Sequence, residues 1–397
     1  TPTLSSAASD VYKRQYQACI MAPTEILAQQ HFKTMSQELK SLNIKIDILT
    51  GSKKSKARKV LLEELKNGDI NLLIGTHALL EDTVEFSNLG FVVIDEQHRF
   101  GVAQRAKLWK KNKYPPHILV MTATPIPRTL SMTLYGDLDV SVIDELPPGR
   151  KEIKTLWKSD SSRLNIIRFM HEQIKEGRQV YIVFPLIDES AKLDYKNLIE
   201  GFDSIVREFP LPDFQVSVVH GQMKSADKEY EMQRFVEGKT DILVATTVIE
   251  VGVNVPNASV MVIESAERFG LSQLHQLRGR VGRGANQSYC VLMSGHKVSS
   301  DGKTRLQTMV DTNDGFKLAE VDLKLRGPGD MMGTKQSGLL NFKIADLIKD
   351  NKILIYAREQ AQILLEDDFD LSKSENINIA RFYRPYARER MGWSRIS

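Results

Sequence analysis

The sequence predicts an α/β protein with two tandem parallel-sheet domains and a mainly helical C-terminal region. Three observations lead to this prediction. Short, nearly continuous apolar runs recur along most of the chain, which is typical of strands buried on both faces of a parallel sheet. Segments with helical spacing separate these runs, as the crossovers between parallel strands require. Pro147-Pro148-Gly149 divides the pattern into two sets, and such clusters interrupt regular structure.

Residues 16–150 form the first predicted domain. Its predicted strands are Ala18–Ala22, Lys45–Leu49, Asn71–Gly75, Phe91–Asp95 and Ile118–Thr122. Its predicted helices are Glu25–Lys40 and Ser55–Asn67, and Gly68 stands where a helix C-cap favours glycine. Residues 1–15 are small, polar and aperiodic, so we interpret them as a non-native or disordered leader. A native N-terminal arm is the alternative.

Residues 151–300 form the second predicted domain, and residues 301–397 form a helical region with a basic tail. The second set of strands is Gln179–Phe184, Gln215–Val219, Asp241–Ala245, Ala258–Glu264 and Ser288–Met293. Helices are predicted at Lys303–Val310 and Ile344–Leu365, with the glycine-rich stretch Leu325–Gly338 between them. We find no internal sequence repeat beyond the alternation that both domains share.

The charge is nearly balanced over most of the chain. The 397 residues include 54 Lys and Arg and 50 Asp and Glu, and the last seventeen residues carry five arginines and one glutamate. Residues 1–380 are therefore neutral, which excludes a polycationic coat protein and restricts nucleic-acid binding to local groups plus the tail. Two distant cysteines, no signal peptide and no membrane-length apolar run predict a cytoplasmic protein without a membrane partner.

The strongest local signal is an apolar strand that ends in two adjacent carboxylates, Asp95 and Glu96. This is how a Walker B element is built. The aspartate at the strand end can hold Mg²⁺ through water, and the glutamate can orient and deprotonate the attacking water. The alternative is a strand end followed by a solvated acidic turn.

Two further motifs follow along the chain. Thr122-Ala123-Thr124-Pro125 places hydroxyls at a strand end, where they suit coupling between a nucleotide and a second ligand, or else a helix N-cap. Gln276–Gly284 has arginines three residues apart with interleaved glycines. That spacing lets guanidinium groups approach a phosphate, as an arginine finger does, and the alternative is a basic solvated turn.

In this order, the three motifs resemble motifs II, III and VI of superfamily 2 helicases, with a DEAD/DEAH-like box. Longer segments are similar to the RecG family of ATP-dependent DNA helicases, which remodel stalled forks and branched recombination intermediates in DNA repair. These segments are Asp95–Val102, Thr122–Leu130, Val244–Pro256, Gln273–Gly284 and the translocation-motif match Gly315–Gly338. The transcription-repair coupling factor is the alternative relative, but His98 and Pro328 favour RecG.

The resemblance implies two RecA-like domains, the first of them incomplete at its N-terminus, that use ATP and Mg²⁺. It implies catalytic roles for Asp95, Glu96, Gln276, Arg280 and Arg283, with Asp95 holding Mg²⁺ through water. It implies coupling roles for Gln97, His98, Thr122, Thr124, Glu250 and Gly252. It implies DNA contacts by Pro23, Thr24, Gly51, Thr76, His77, Arg128, His220, Gly221, Thr246, Thr247, Arg326 and Gln336. For each lone histidine a structural role is the alternative. The implied partner is branched or duplex DNA, bound by a monomer.

Two parts of such a motor are missing from the 397 residues. The N-terminal wedge domain is absent, and so is the phosphate-binding loop that ends in Gly-Lys-Thr or Gly-Lys-Ser. Gly302-Lys303-Thr304 does not replace the loop, because Lys297 stands where the first glycine is needed. The hypotheses are an ATP-driven translocase and a nucleic-acid-binding remnant; a protein-binding scaffold has less support. We combine the first two and expect a helicase by descent that cannot hydrolyse ATP as this polypeptide, with a destabilised first domain.

Overall fold

A computed structural model describes residues 16–51, 55–96, 108, 111–112, 114–123, 139–143, 145–147, 149–185, 191–246, 255–326 and 350–390. The chain divides into two compact units. The first unit contains the residues up to Thr122 and those from Arg326 onward, and the second contains Ile143–Leu325. Within the described residues no helix is long and apolar enough to cross a membrane.

The first unit is built on a five-stranded parallel sheet. Its strands are β1 (Gln17–Met21), β2 (Ile46–Leu49), β3 (Leu72–Gly75), β4 (Leu89–Ile94) and β5 (His117–Val120), in the order β2-β3-β1-β4-β5. Every pair in it is parallel. Helices α1 (Glu25–Glu38) and α2 (Ser55–Asn67) lie between the first three strands in sequence. Strands β1 and β3 are buried along their whole length, which explains their continuous apolar sequences.

The second unit contains a six-stranded parallel sheet. Its strands are β6 (Lys154–Ser159), β7 (Gln179–Val183), β8 (Val216–Val219), β9 (Ile242–Ala245), β10 (Ala258–Ile263) and β11 (Tyr289–Ser294), in the order β6-β11-β10-β7-β9-β8. All its pairs are parallel. Its helices are α3 (Arg163–Lys175), α4 (Ala191–Glu208), α5 (Ser225–Val236), α6 (Leu271–Arg278), α7 (Ser300–Asp311) and α8 (Gly315–Arg326). The two sheets confirm the predicted fold class.

The sequence analysis missed strand β6. This strand lies at the edge of the sheet, and buried Thr155 alternates with exposed lysines at 154 and 158. An edge strand needs to be apolar on only one face, so its sequence lacks the continuous apolar run that marks the central strands.

The C-terminal segment is helical, as predicted, but with different bounds. Helix α9 (Asn351–Asp367) matches most of the predicted helix Ile344–Leu365, whose first residues lie outside the described part. Helix α10 (Ile377–Arg390) was not predicted. Asp368 organises the turn between them, because its carboxylate accepts hydrogen bonds from Asn376 Nδ2 and from the backbone N–H groups of Ser372 and Lys373. These hydrogen bonds lower the pKa of Asp368.

The two units share one structural repeat that the sequence analysis did not find. Residues 45–76 and 215–246 each form a strand, a helix and a second strand, and the strand registers correspond without a gap. Gly68 and Gly238 close the equivalent helices with φ angles of 87° and 71°. Because few side chains are identical between the two copies, backbone geometry reveals the repeat more clearly than sequence does.

Candidate functional site

Asp95 and Glu96 lie at the carboxyl end of β4, as the Walker B interpretation requires. The backbone N–H of Asp95 donates to the Met21 carbonyl at 2.9 Å, so this residue is still held by the sheet. Glu96 is buried, and its φ of 52° falls in the left-handed region that non-glycine residues rarely adopt. The chain therefore turns sharply at the strand end and places two consecutive acidic residues at the edge where α/β proteins bind ligands.

His31 is a neighbour of this site that the sequence analysis missed. Its Nε2 donates a hydrogen bond to Oδ2 of Asp95 at 2.9 Å, and both side chains are about four-fifths buried, with 19% and 18% exposed. His31 lies on α1, two turns after Thr24. No signal in the sequence pairs residues so far apart in the chain.

Thr76 and Thr246 occupy equivalent positions, each directly after the last strand of the repeat. The N–H of Thr76 donates to the Leu49 carbonyl at 3.4 Å, and that of Thr246 donates to the Val219 carbonyl at 3.3 Å. Both residues are buried, and within the described part of the chain neither hydroxyl has a hydrogen-bond partner. A buried hydroxyl without a partner is unfavourable, so both hydroxyls are candidates for contact with a bound group.

Five more residues with a predicted DNA contact lie just after the carboxyl ends of strands. Thr24 is the N-cap of α1, and its hydroxyl accepts from the Leu27 N–H at 3.4 Å, so this residue has at least a structural role. Pro23 is half-buried beside it, and exposed His77 begins a short 3₁₀ helix after Thr76. Gly51 and Gly221 are exposed at equivalent positions of the repeat.

His220 stands beside Gly221 and is half-buried. Burial lowers its pKa first, and the nearby charge of Lys228 lowers it further. The Lys228 ammonium also donates to the carbonyl of Gly221 at 2.8 Å, so a cation lies at this loop. A neutral imidazole beside a cation can donate or accept hydrogen bonds but adds no charge of its own.

The predicted arginine motif lies on α6 and in the loop after it. Gln276 is on the helix, half-buried, and Arg280 is buried just beyond the helix end. Arg283 is exposed, and its Nε donates to the Gly279 carbonyl at 3.4 Å. Protein packed around its guanidinium, together with Arg280, lowers the pKa of Arg283 to about 10, which still leaves it charged at neutral pH.

Arg278, in the same motif, is buried and has a structural role that the sequence analysis missed. One terminal nitrogen donates to the carbonyls of Met309 at 2.8 Å and Thr312 at 2.9 Å, at the end of α7. The other donates to Nδ1 of His275 at 3.0 Å. Burial lowers the pKa of His275 to about 4, and the charge of Arg278 lowers it in the same direction. His275 is therefore a neutral acceptor.

Two more predicted site residues lie within the described part of the chain, and eight lie outside it. Thr122 is described and exposed at the end of the first sheet, and Arg326 is the last residue of α8. The predicted coupling and DNA contacts that lie outside the described residues are Gln97, His98, Thr124, Arg128, Thr247, Glu250, Gly252 and Gln336.

The decoy Gly302-Lys303-Thr304 is part of a helix and not of a phosphate-binding loop. It lies in the first turn of α7, and the Gly302 N–H already donates to the Ser299 hydroxyl at 3.1 Å. A phosphate-binding loop needs N–H groups that are open to the ligand. The helix and the spacing of the glycines therefore both argue against phosphate binding by Gly302-Lys303-Thr304.

Family comparisons agree with this arrangement. The DEAD/DEAH box helicase model matches residues 2–133, the helicase conserved C-terminal domain matches residues 163–285, and the model described as ATP-dependent DNA helicase RecG, domain 3, C-terminal, matches residues 312–397. The ATP-dependent DNA helicase RecG of Synechocystis sp. is 52% identical over 364 residues, which is 92% of this chain and 43% of that protein. The Bacillus subtilis RecG is 51% identical over 89% of this chain and 51% of its own length.

This chain belongs to the RecG family. It spans about half the length of the curated relatives that it matches. The solved structure of RecG bound to a three-way DNA junction is 43% identical, with a TM-score of 0.72, and the match covers 89% of this chain and 45% of that one. The resemblance inferred from the motifs is thus confirmed. The roles of individual site residues stay predictions.

Proposed function

We propose that this chain is the motor portion of a RecG-type, ATP-dependent DNA translocase that acts as a monomer in the cytoplasm. Its substrates would be stalled forks and branched recombination intermediates, since a RecG relative has been solved on a three-way DNA junction. The alternatives are a nucleic-acid-binding remnant without motor activity and a relative of the transcription-repair coupling factor. The observation that carries the proposal is the pair of equivalent, unpartnered threonine hydroxyls.

The surroundings of each threonine hydroxyl suit a phosphate of a nucleic-acid strand. Each hydroxyl follows a β-strand, next to a loop that exposes a glycine, Gly51 in the first copy and Gly221 in the second. A hydroxyl and nearby backbone N–H groups are the neutral donors that proteins use for phosphate oxygens. Each copy of this geometry would hold one phosphate, without needing a strongly basic surface.

The carboxylate pair fits Mg²⁺. Magnesium prefers oxygen ligands and keeps several waters, so one or two carboxylates at an accessible edge are sufficient. Asp95 is partly exposed and would hold the ion, while Glu96 would accept a proton from the attacking water. The ion, when bound, would neutralise charge on the ATP phosphates. In the second unit, Arg280 and Arg283 would supply guanidinium groups to nucleotide phosphates.

Removing each hydroxyl without changing side-chain size tests the proposal. Thr76→Val and Thr246→Val should each weaken binding to single-stranded or duplex DNA about tenfold, since each loses one phosphate hydrogen bond of about 1.4 kcal/mol. Thermal stability should be unchanged or higher, because a buried polar atom without a partner is lost. Fluorescence anisotropy and calorimetry would measure the two effects.

The matched controls are Thr76→Ser and Thr246→Ser, which keep the hydroxyl and should bind DNA like the unmodified chain. If both valine variants bind DNA with unchanged affinity, the threonines do not contact phosphate and the proposal fails. A fall in stability with unchanged affinity would show a structural role instead.

A further inference from the structure

Arg150 links the segment between the two sheets to the arginine loop, residues 279–284. It follows Pro147-Pro148-Gly149 directly, and its Nε donates to the Gly282 carbonyl at 2.9 Å. Both residues lie in the second unit. The hydrogen bond therefore fixes the backbone of the loop from outside the arginine motif itself.

Two more contacts hold the same loop against the same segment. Gly282 has a φ of 78°, and a Cβ placed on it would lie 2.9 Å from Cγ1 of Ile153. Only glycine combines this backbone conformation with such a close approach. On the far side of the loop, Gln287 Nε2 donates to the Glu152 carbonyl at 2.8 Å. Residues 150–153 thus form a rigid support for the loop.

Three guanidinium groups gather around this support. The charges of Arg280 and Arg150 both lower the pKa of Arg283. No carboxylate of the described residues contributes to this shift. Tyr181 lies close to Arg280 and Arg283 and is fully buried, and its hydroxyl has no hydrogen-bond partner within the described part. Positive charges that lie near one another favour the binding of an anion beside them.

We propose that Arg150 is a third arginine of the phosphate-binding arm, alongside Arg280 and Arg283, and that the anion it helps to hold is the polyphosphate of a nucleotide. The inference rests on the proposed phosphate role of Arg280 and Arg283. Arg150 contributes in two ways. Its Nε positions the loop through the Gly282 carbonyl, and its charge adds to the field at the phosphate.

The test is titration of the full 397-residue chain with inorganic tripolyphosphate at low salt, followed by calorimetry. Arg150→Gln should weaken binding about fivefold, since one charge near the anion is lost. Arg150→Lys should stay within about twofold of the unmodified chain, because it keeps the charge. Arg168→Gln is the control: this arginine is exposed on α3 in the same unit and should have no effect.

Hydrogen exchange provides the second measurement. Both Arg150→Gln and Arg150→Lys should speed exchange at the amides of Val281 and Arg283, because both lose the Nε hydrogen bond to Gly282, while β10 stays protected. This separates the support of the loop from the effect of charge on the anion. A variant that unfolds would lose protection in β10 as well. If Arg150→Gln unfolds in this way, Arg150→Lys is used for the comparison instead.

The outcomes distinguish this inference from the proposed function. If Arg283→Gln weakens tripolyphosphate binding and Arg150→Gln does not, Arg150 has no part in the arm and only this inference is overturned. If Arg280→Gln and Arg283→Gln have no effect, or the unmodified chain does not bind the anion, the phosphate role of the motif itself is contradicted.

Discussion

His275 and Arg278 show how a single residue can differ from what its motif implies. The motif predicts phosphate contacts for Arg280 and Arg283, whereas Arg278, which stands two residues before Arg280, is only 2% exposed and donates its hydrogen bonds to protein acceptors. Its partner His275 accepts at Nδ1 and is held neutral by burial. Their arrangement makes the stability of the second unit depend on pH.

The expected dependence follows from the depressed pKa of His275. Between pH 6.5 and about 4 the unfolded chain gains a proton at this position and the native chain does not, so stability is lost as the pH falls through this range. The contribution is no more than about 3 kcal/mol. His275→Asn keeps an acceptor near Arg278 and cannot titrate, so its unfolding free energy should fall less between pH 7 and pH 4, as measured by urea denaturation. Equal losses in the variant and the unmodified chain would contradict the assignment.

At the scale of elements, a buried glutamine side chain makes the same pair of hydrogen bonds in each sheet. Gln17 opens β1, and its side-chain amide donates to the carbonyls of Leu65 at 2.9 Å and Ile70 at 2.8 Å. Gln179 opens β7 and donates in the same way to the carbonyls of Phe235 at 2.7 Å and Thr240 at 2.8 Å. Each glutamine joins the end of a helix to the turn before the neighbouring strand.

Replacing either glutamine should destabilise its own unit. Gln17→Leu leaves the carbonyl of Ile70 without its side-chain donor, and Gln179→Leu does the same to the carbonyl of Thr240, which costs about 1–3 kcal/mol. The carbonyls of Leu65 and Phe235 keep the N–H groups of Gly68 and Gly238 as donors, each at 3.1 Å. Gln37→Leu, at an exposed position on α1, is the control and should change stability by less than about 0.5 kcal/mol. Denaturation monitored by hydrogen exchange would assign each loss to one unit. A loss shared equally by both units would show that they do not unfold independently.

At the scale of the whole molecule, the charge distribution is compatible with DNA binding through a few local groups and not through a generally basic surface. Residues 1–380 have no net charge, and the surplus lies in the last seventeen residues. The candidate phosphate contacts in the repeat are hydroxyls and backbone groups, so a neutral body is compatible with nucleic-acid binding. The basic tail would add a salt-dependent contribution, because each phosphate neutralised by an arginine releases counterions.

We expect the 397-residue polypeptide, purified by itself, to show no DNA-stimulated ATP hydrolysis. Its sequence contains no Gly-x-x-x-x-Gly-Lys-Thr or Gly-x-x-x-x-Gly-Lys-Ser loop, and this loop supplies the amides and the lysine that hold the phosphates. A coupled ATPase assay with and without DNA measures this. Turnover that disappears in Glu96→Gln would sink the expectation, because other residues would then have to replace the loop. Turnover that persists in Glu96→Gln would indicate a contaminating enzyme.

Much of the fold could be predicted because its determinants are local. Continuous apolar runs such as those of β1 and β9 follow from burial on both faces, and ten of the eleven strands lie within predicted ones or overlap them. Strand β6 was missed because its sequence, KTLWKS, contains lysines and no continuous apolar run. Glu96 was predicted as a catalytic group from its place after a strand, but its left-handed backbone could not be.

By itself the sequence determined the family, the parallel sheets and the position of Asp95 and Glu96 after a strand. Motifs and apolar periodicity involve residues close together in the chain, so they can be recognised without a structure. Only the tertiary structure decided which distant side chains meet. It placed His31 on Asp95, Arg150 on the loop at Gly282, and the two threonines at equivalent sites. Such contacts depend on strand order and on how each helix packs, and no short stretch of sequence encodes either.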